Sequence, residues 1–150
     1  VHRSSQDHLG EVCMTYPAQL VELIEEFQDA DDQMERLEMV FEMADEVVLI
    51  PIDDWSDHTR VVGCQSEAHV RVSLDDGKVL MAGAADAQLV QGLMGILTIA
   101  INGSAPAQAL LLSPEFAQEM GILKSLSPSR SNGFRNMFDK VMLEIRGLVE

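Results

Sequence analysis

Leu20, Leu23, Ile24 and Phe27 recur at helical spacing, with Glu22, Glu25 and Glu26 on the opposite side, so the chain opens its first helix at Pro17. Asp29-Ala30-Asp31-Asp32 interrupts the pattern, and Met34, Leu37, Phe41 and Ala44 resume it as a second amphipathic helix, expected to pair with the first as an antiparallel hairpin. Residues 45–60 form a polar, acidic connection around the short apolar run Val47 to Ile52, where Pro51 opposes a long helix. The period then changes. Ala68, Val70, Val72 and Leu74 alternate with His69, Arg71 and Ser73, which is a strand, and Asp75-Asp76-Gly77 turns it into a second strand at Val79 to Ala82. Position 64 therefore lies in the loop entering a β-hairpin. From about Ala87 to Ile101 the chain is apolar almost all round, the mark of a central buried helix, with Asp86 as its expected cap and Asn102-Gly103 as its end. Pro106 and Pro114 break residues 104–123 into short helical pieces. Residues 127–133 read as a loop and cap, and Phe134, Met137, Phe138, Val141, Ile145 and Leu148 as a final amphipathic helix.

This order predicts an α+β domain with a small antiparallel sheet packed against helices. Residues 1–16 read as a polar tail and 17–150 as the domain. With 150 residues, almost half of them apolar, the chain can bury one real core. The start at Val1 rather than Met is compatible with a processed form or with a domain cut from a larger fusion.

The net charge of -15 is unevenly placed: residues 1–60 hold 16 acids against 3 bases, residues 61–150 hold 9 against 7. Such a surface repels phosphates, which argues against nucleic acid and anionic membranes, and it offers a face for a basic partner. No apolar run reaches the roughly 20 residues that span a bilayer. Two cysteines, Cys13 and Cys64, are too few for a disulfide framework or a cysteine-based zinc site. They suit a reducing compartment: the cytoplasm, or the plastid stroma if a transit peptide has been removed.

Cys64 carries the candidate chemistry. It stands in Val62-Gly63-Cys64-Gln65-Ser66, on a loop and not on an apolar stripe, and Gly63 leaves room for another molecule to approach. Sulfur nucleophiles act as thiolates, which nearby donors favour; Gln65, Ser66, His58 and His69 are the neighbours in sequence. The run Asp53, Asp54, Asp57 and His58 reads as a solvated acidic face and not as a metal site. Cys13, near the tail, reads as a thiol without a role.

Three strings together resemble the SufE family of sulfur acceptors: Val62-Gly63-Cys64-Gln65-Ser66; Ala85-Asp86-Ala87 with Val90-Gln91-Gly92-Leu93; and Leu126-Ser127-Pro128-Ser129-Arg130-Ser131-Asn132-Gly133. They stand in the family's order and spacing, and the similarity covers roughly residues 18–147. The resemblance implies a SufE/IscU-like fold and an accessory role without catalysis of its own. A pyridoxal-phosphate cysteine desulfurase of the SufS type is the implied partner. It hands a persulfide sulfur to Cys64, is stimulated in return, and the sulfur passes to an iron–sulfur scaffold complex. The pyridoxal phosphate belongs to the partner, and this chain is expected to carry no cofactor. Gly63, Gln65, Ser66, Asp86 and Arg130 are implied as supports of the loop or contacts to the partner. The chain departs from the family pattern at Ala68-His69, where the family has Val-Trp, and at Ala85 and Gln91. An IscU-like cluster scaffold is the alternative, but it needs several cluster ligands. A cysteine hydrolase would need a base and an oxyanion site beside Cys64.

Overall fold

A computed structural model of the protein describes residues 16–63 and 66–149. Cys13, Cys64, Gln65 and nearly all of the expected tail lie outside the described residues. Tyr16, the last position of that tail, is half-buried and donates its hydroxyl to the carboxylate of Glu119.

Helix α1 (Ala18–Gln28) buries Leu20, Leu23, Ile24 and Phe27 and leaves its glutamates outside, as the spacing predicts. Helix α2 (Gln33–Glu42) is capped by Asp32, whose carboxylate accepts from the Glu35 amide at 2.8 Å. Its predicted stripe is not the one it buries. Met34 is 71 % exposed and Phe41 is at the surface, whereas Val40 is buried. Nor do α1 and α2 form a simple hairpin. Each packs on the central helix, α3 (Gln88–Ile101). Glycine makes the second of these contacts possible: a Cβ on Gly92 would lie 2.0 Å from the Val40 carbonyl oxygen, and one on Gly95 1.8 Å from that of Met43. Backbone meets backbone there, so small residues of α3, not an apolar stripe of α2, decide which side faces inward.

Strands β1 (Ala68–Asp75) and β2 (Lys78–Ala85) pair antiparallel from Ala68 opposite Ala85 to Asp75 opposite Lys78. Asp76 and Gly77 make the two-residue turn, both at positive φ (54° and 77°), the twist a tight hairpin requires. Flanking segments extend the sheet on both sides. Residues 48–50 bond to Gly83 of β2, with Gly83 N to Val48 O at 2.8 Å and Ile50 N to Gly83 O at 3.0 Å. Residues 59–61 bond to β1, with Val61 N to Ala68 O and Val70 N to Thr59 O both at 2.8 Å.

Helix α3 is buried through most of its length. Short helices α4 (Pro106–Ala109) and α5 (Phe116–Glu119) follow. The last helix, α6, runs Pro128–Val149 and so begins inside the segment expected to be a loop. Pro128 is its first residue and the Ser127 hydroxyl accepts from the Arg130 amide at 3.3 Å, so Ser-Pro-Ser-Arg is a helix start. Phe134, Met137, Phe138, Val141 and Ile145 of α6 are buried, and Phe134 meets Phe116 edge-on at 6.0 Å.

Candidate functional site

The pairing of residues 59–61 with 68–70 makes residues 62–67 the connection between two hydrogen-bonded arms, and Cys64 is in it. The described residues on each side of Cys64-Gln65 are held from outside the loop. Before them, the Gly63 carbonyl accepts from the side-chain amide of Asn136 at 3.1 Å. Gly63 has φ +87°, and a Cβ there would lie 2.5 Å from Asn136 Nδ2, so conformation and space both call for glycine. After them, the Ser66 hydroxyl accepts from Arg130 Nη1 at 2.8 Å. Both donors belong to α6.

Asp86 is placed differently from its expected role. Residue 87 is the N-cap of α3 and makes no side-chain cap bond. The Asp86 carboxylate accepts instead from the Glu67 amide at 3.1 Å, while the Asp86 amide donates to the Glu67 carbonyl at 3.0 Å. The strand register explains this. Ala68 faces Ala85, so the next pair outward is Glu67 with Asp86, and the carboxylate closes the ladder where the loop begins.

His69, a polar member of the alternating pattern, is only 2 % exposed. The segment 50–61 covers that face: Trp55 stacks on the His69 ring with centroids 4.6 Å apart and anchors itself by Nε1 to the Ile50 carbonyl at 3.1 Å. Both ring nitrogens of His69 are engaged, Nδ1 with Thr59 Oγ1 at 2.7 Å and Nε2 with Glu67 Oε2 at 2.9 Å. The ring is thus a packed, satisfied element of the hairpin base. His58 contributes its carbonyl, which accepts from Lys140 Nζ at 2.8 Å.

Asn136, Lys140, Thr59, Glu67 and Trp55 were not singled out by sequence. The one available signal was the polar series Asn136, Lys140, Glu144 at four-residue spacing beside the apolar face of α6. Near Arg130 a crevice of only about 10 Å³, too small for a ligand, is lined mostly by apolar side chains, among them Val90, Leu93, Phe134 and Met137. Val62, beside Gly63, is 82 % exposed. Among the described residues no group of three or more His, Cys, Asp or Glu is placed to hold a metal ion, and no helix is long and apolar enough to cross a membrane.

The architecture is an α+β domain whose last helix holds Gly63 and Ser66, the described residues on either side of Cys64-Gln65. Residues 21–145 match the family model SufE, "Fe-S metabolism associated domain", and the chain belongs to the SufE family. A SufE-like protein of Synechocystis sp. is 36 % identical over 124 residues, covering 83 % of this chain and 78 % of that one. SufE-like protein 1, chloroplastic/mitochondrial, of Arabidopsis thaliana is 28 % identical over 87 % of this chain, which spans 37 % of that longer protein. The cysteine desulfuration protein SufE of Plasmodium vivax is 36 % identical over 53 % of this chain and 34 % of its own length. A solution structure of a hypothetical protein from Thermus thermophilus shares the fold, with TM-score 0.77 at 23 % identity over 89 % of this chain and 98 % of that one.

Proposed function

We propose that the chain is a sulfur acceptor and carrier that takes persulfide sulfur onto Cys64 from a SufS-type cysteine desulfurase, stimulates that enzyme by clearing its cysteine, and delivers the sulfur to iron–sulfur cluster assembly. The observation that carries this reading is the bracing of both neighbours of Cys64-Gln65 by α6, in a chain of the SufE family. A loop held at both ends presents a side chain to another protein at low entropic cost.

The transfer balances without an external redox agent. The Cys64 thiolate attacks the terminal sulfur of the partner's persulfide, a new S–S bond forms at Cys64, the old S–S bond breaks, and the partner's cysteine leaves as a thiolate. Pyridoxal phosphate acts in the partner when the persulfide is made. This chain supplies the acceptor sulfur and its placement and is not an enzyme in its own right. Val62 offers the partner an exposed apolar contact beside the loop.

The test is to mix the protein with a SufS-type desulfurase, pyridoxal phosphate and cysteine, and to weigh it intact. A gain of one sulfur atom that is lost in Cys64→Ser and kept in Cys13→Ser is expected. A gain that survives Cys64→Ser overturns the assignment, and an iron-dependent charge-transfer spectrum marks a cluster scaffold instead.

A further inference from the structure

One face of α6 holds the main chain of β1 and of the segment that leads into it. At successive four-residue steps, Asn136 donates to the Gly63 carbonyl at 3.1 Å, Lys140 donates to the His58 carbonyl at 2.8 Å, and Glu144 accepts from the Val72 amide at 3.1 Å. Lys140 and Glu144 also pair with each other at 2.8 Å. The first contact of this series is the one nearest Cys64 in sequence, and nothing in the family's cysteine, aspartate and arginine strings points to it.

We propose that Asn136 is a positioning residue for sulfur acceptance, acting through the Gly63 carbonyl to fix the direction in which the chain enters Cys64. The proposal rests on the reading of Cys64 as acceptor. The Gly63 carbonyl belongs to an exposed residue that water could solvate, yet a half-buried side chain from a packed helix turn takes it. Asn136 Nδ2 occupies the space that only a glycine at 63 leaves open, so the two residues form one unit, a left-handed turn and the amide that stops it relaxing. Met137 and Phe138 beside Asn136 are buried, which anchors the donor to the core. Arg130, on the same helix, holds Ser66 on the other flank, so a single rigid element orients both ends of the dipeptide that carries the thiol.

The step served is the attack already described, in which reach and line of approach set the rate. A loop released on one side samples more directions. A small reagent then finds the thiol more readily, whereas a partner that offers its sulfur from one direction finds it less often.

The experiment compares Asn136→Ala and Asn136→Asp with the parent in a Cys13→Ser background. Asp keeps the shape of Asn and, ionised, has no donor for a carbonyl. Two rates are read well below the melting temperature: maleimide labelling of Cys64 without partner, and sulfur gain at saturating desulfurase. Loss of one neutral hydrogen bond predicts labelling faster and sulfur gain slower, each by about 2- to 10-fold, with the desulfurase concentration for half-saturation unchanged. Arg135→Ala, which gives up the 2.8 Å pair with Glu115 on the neighbouring position, is the control for general loosening of α6 and leaves both rates as in the parent. Asn136 variants that label and load like the parent overturn the proposal. So does an equal effect of Arg135→Ala. If the parent itself gains no sulfur, the acceptor reading fails, and the labelling rates alone still decide whether Asn136 orients the loop.

Discussion

Arg130 donates to the hydroxyl of Ser66 at 2.8 Å, joining positions 64 residues apart in the chain. The planar guanidinium is held at the start of α6, where the Ser127 hydroxyl caps the Arg130 amide. Ser66 in turn is separated from Gly63 only by Cys64 and Gln65. A helix start thereby becomes a support for the loop.

The strength of this link is measurable by a double-mutant cycle. Ser66→Ala, Arg130→Ala and the double variant, unfolded in urea, are expected to give a coupling energy of about 1–2 kcal/mol, the range of a hydrogen bond from a charged donor at a half-buried site. Arg130→Lys should recover only part of it, because an ammonium lacks the fixed fork of the guanidinium. Additive single effects would show that the contact contributes nothing.

Gly63→Ala combines two costs. The left-handed backbone alone penalises a Cβ by about 1–2 kcal/mol, and that Cβ would also meet Asn136 at 2.5 Å. Adding Asn136→Ala should remove the second cost and leave the first, so the double variant is expected to be more stable than the summed effects of the singles, and strict additivity would show that the Cβ and Asn136 do not meet. Thermal unfolding of the four proteins decides this.

Gly95 and Gly147 give opposite expectations for one substitution. At Gly95 an alanine drives a Cβ to 1.8 Å from the Met43 carbonyl, which forces the turn after α2 off α3 and costs about 3 kcal/mol or more. At Gly147, within α6, nothing lies within 4 Å, and alanine should stabilise the helix by about 0.5–1 kcal/mol. Urea midpoints that move in the same direction would contradict this account of the packing.

Thr59→Val keeps the shape of the side chain and removes the partner of His69 Nδ1. With His69 only 2 % exposed, the unpaired nitrogen should cost about 1–3 kcal/mol. Removing Trp55 as well should add to the loss by baring the ring it stacks on. A histidine side-chain NMR signal unchanged by Thr59→Val would show that the bond is absent.

The helices with a clean 3.6-residue period were legible from sequence. The charged face of α1 and the all-round apolarity of α3 left one solution each. Helix α2 was legible as a helix but not in its orientation, since Gly92 and Gly95 of another element fix its buried side. Asp86 satisfied the chemical rule for a cap, but the extended strand ladder competes for the same carboxylate and wins. Ser127-Pro128 marks the boundary correctly, but Pro128 to Gly133, expected as loop, already form the first turns of the helix. At the candidate site, Cys64, Ser66 and Arg130 stood out as motif residues. Asn136 and Lys140 did not, because a side chain that bonds to a carbonyl imposes no pattern on the residue owning that carbonyl.

The same property governs what can vary. Because Asn136 and Lys140 address peptide groups, the side chain of exposed residue 58 is free to drift without loosening this segment from the helix, whereas Val72, whose amide Glu144 takes, stays fixed by its burial in the core. On the acceptor role proposed for Cys64, exposed side chains beside it can therefore be exchanged to suit a different partner while the underlying brace stays constant. Ser66 is the exception, since its hydroxyl is itself the group that Arg130 holds, and there the side chain has no such freedom.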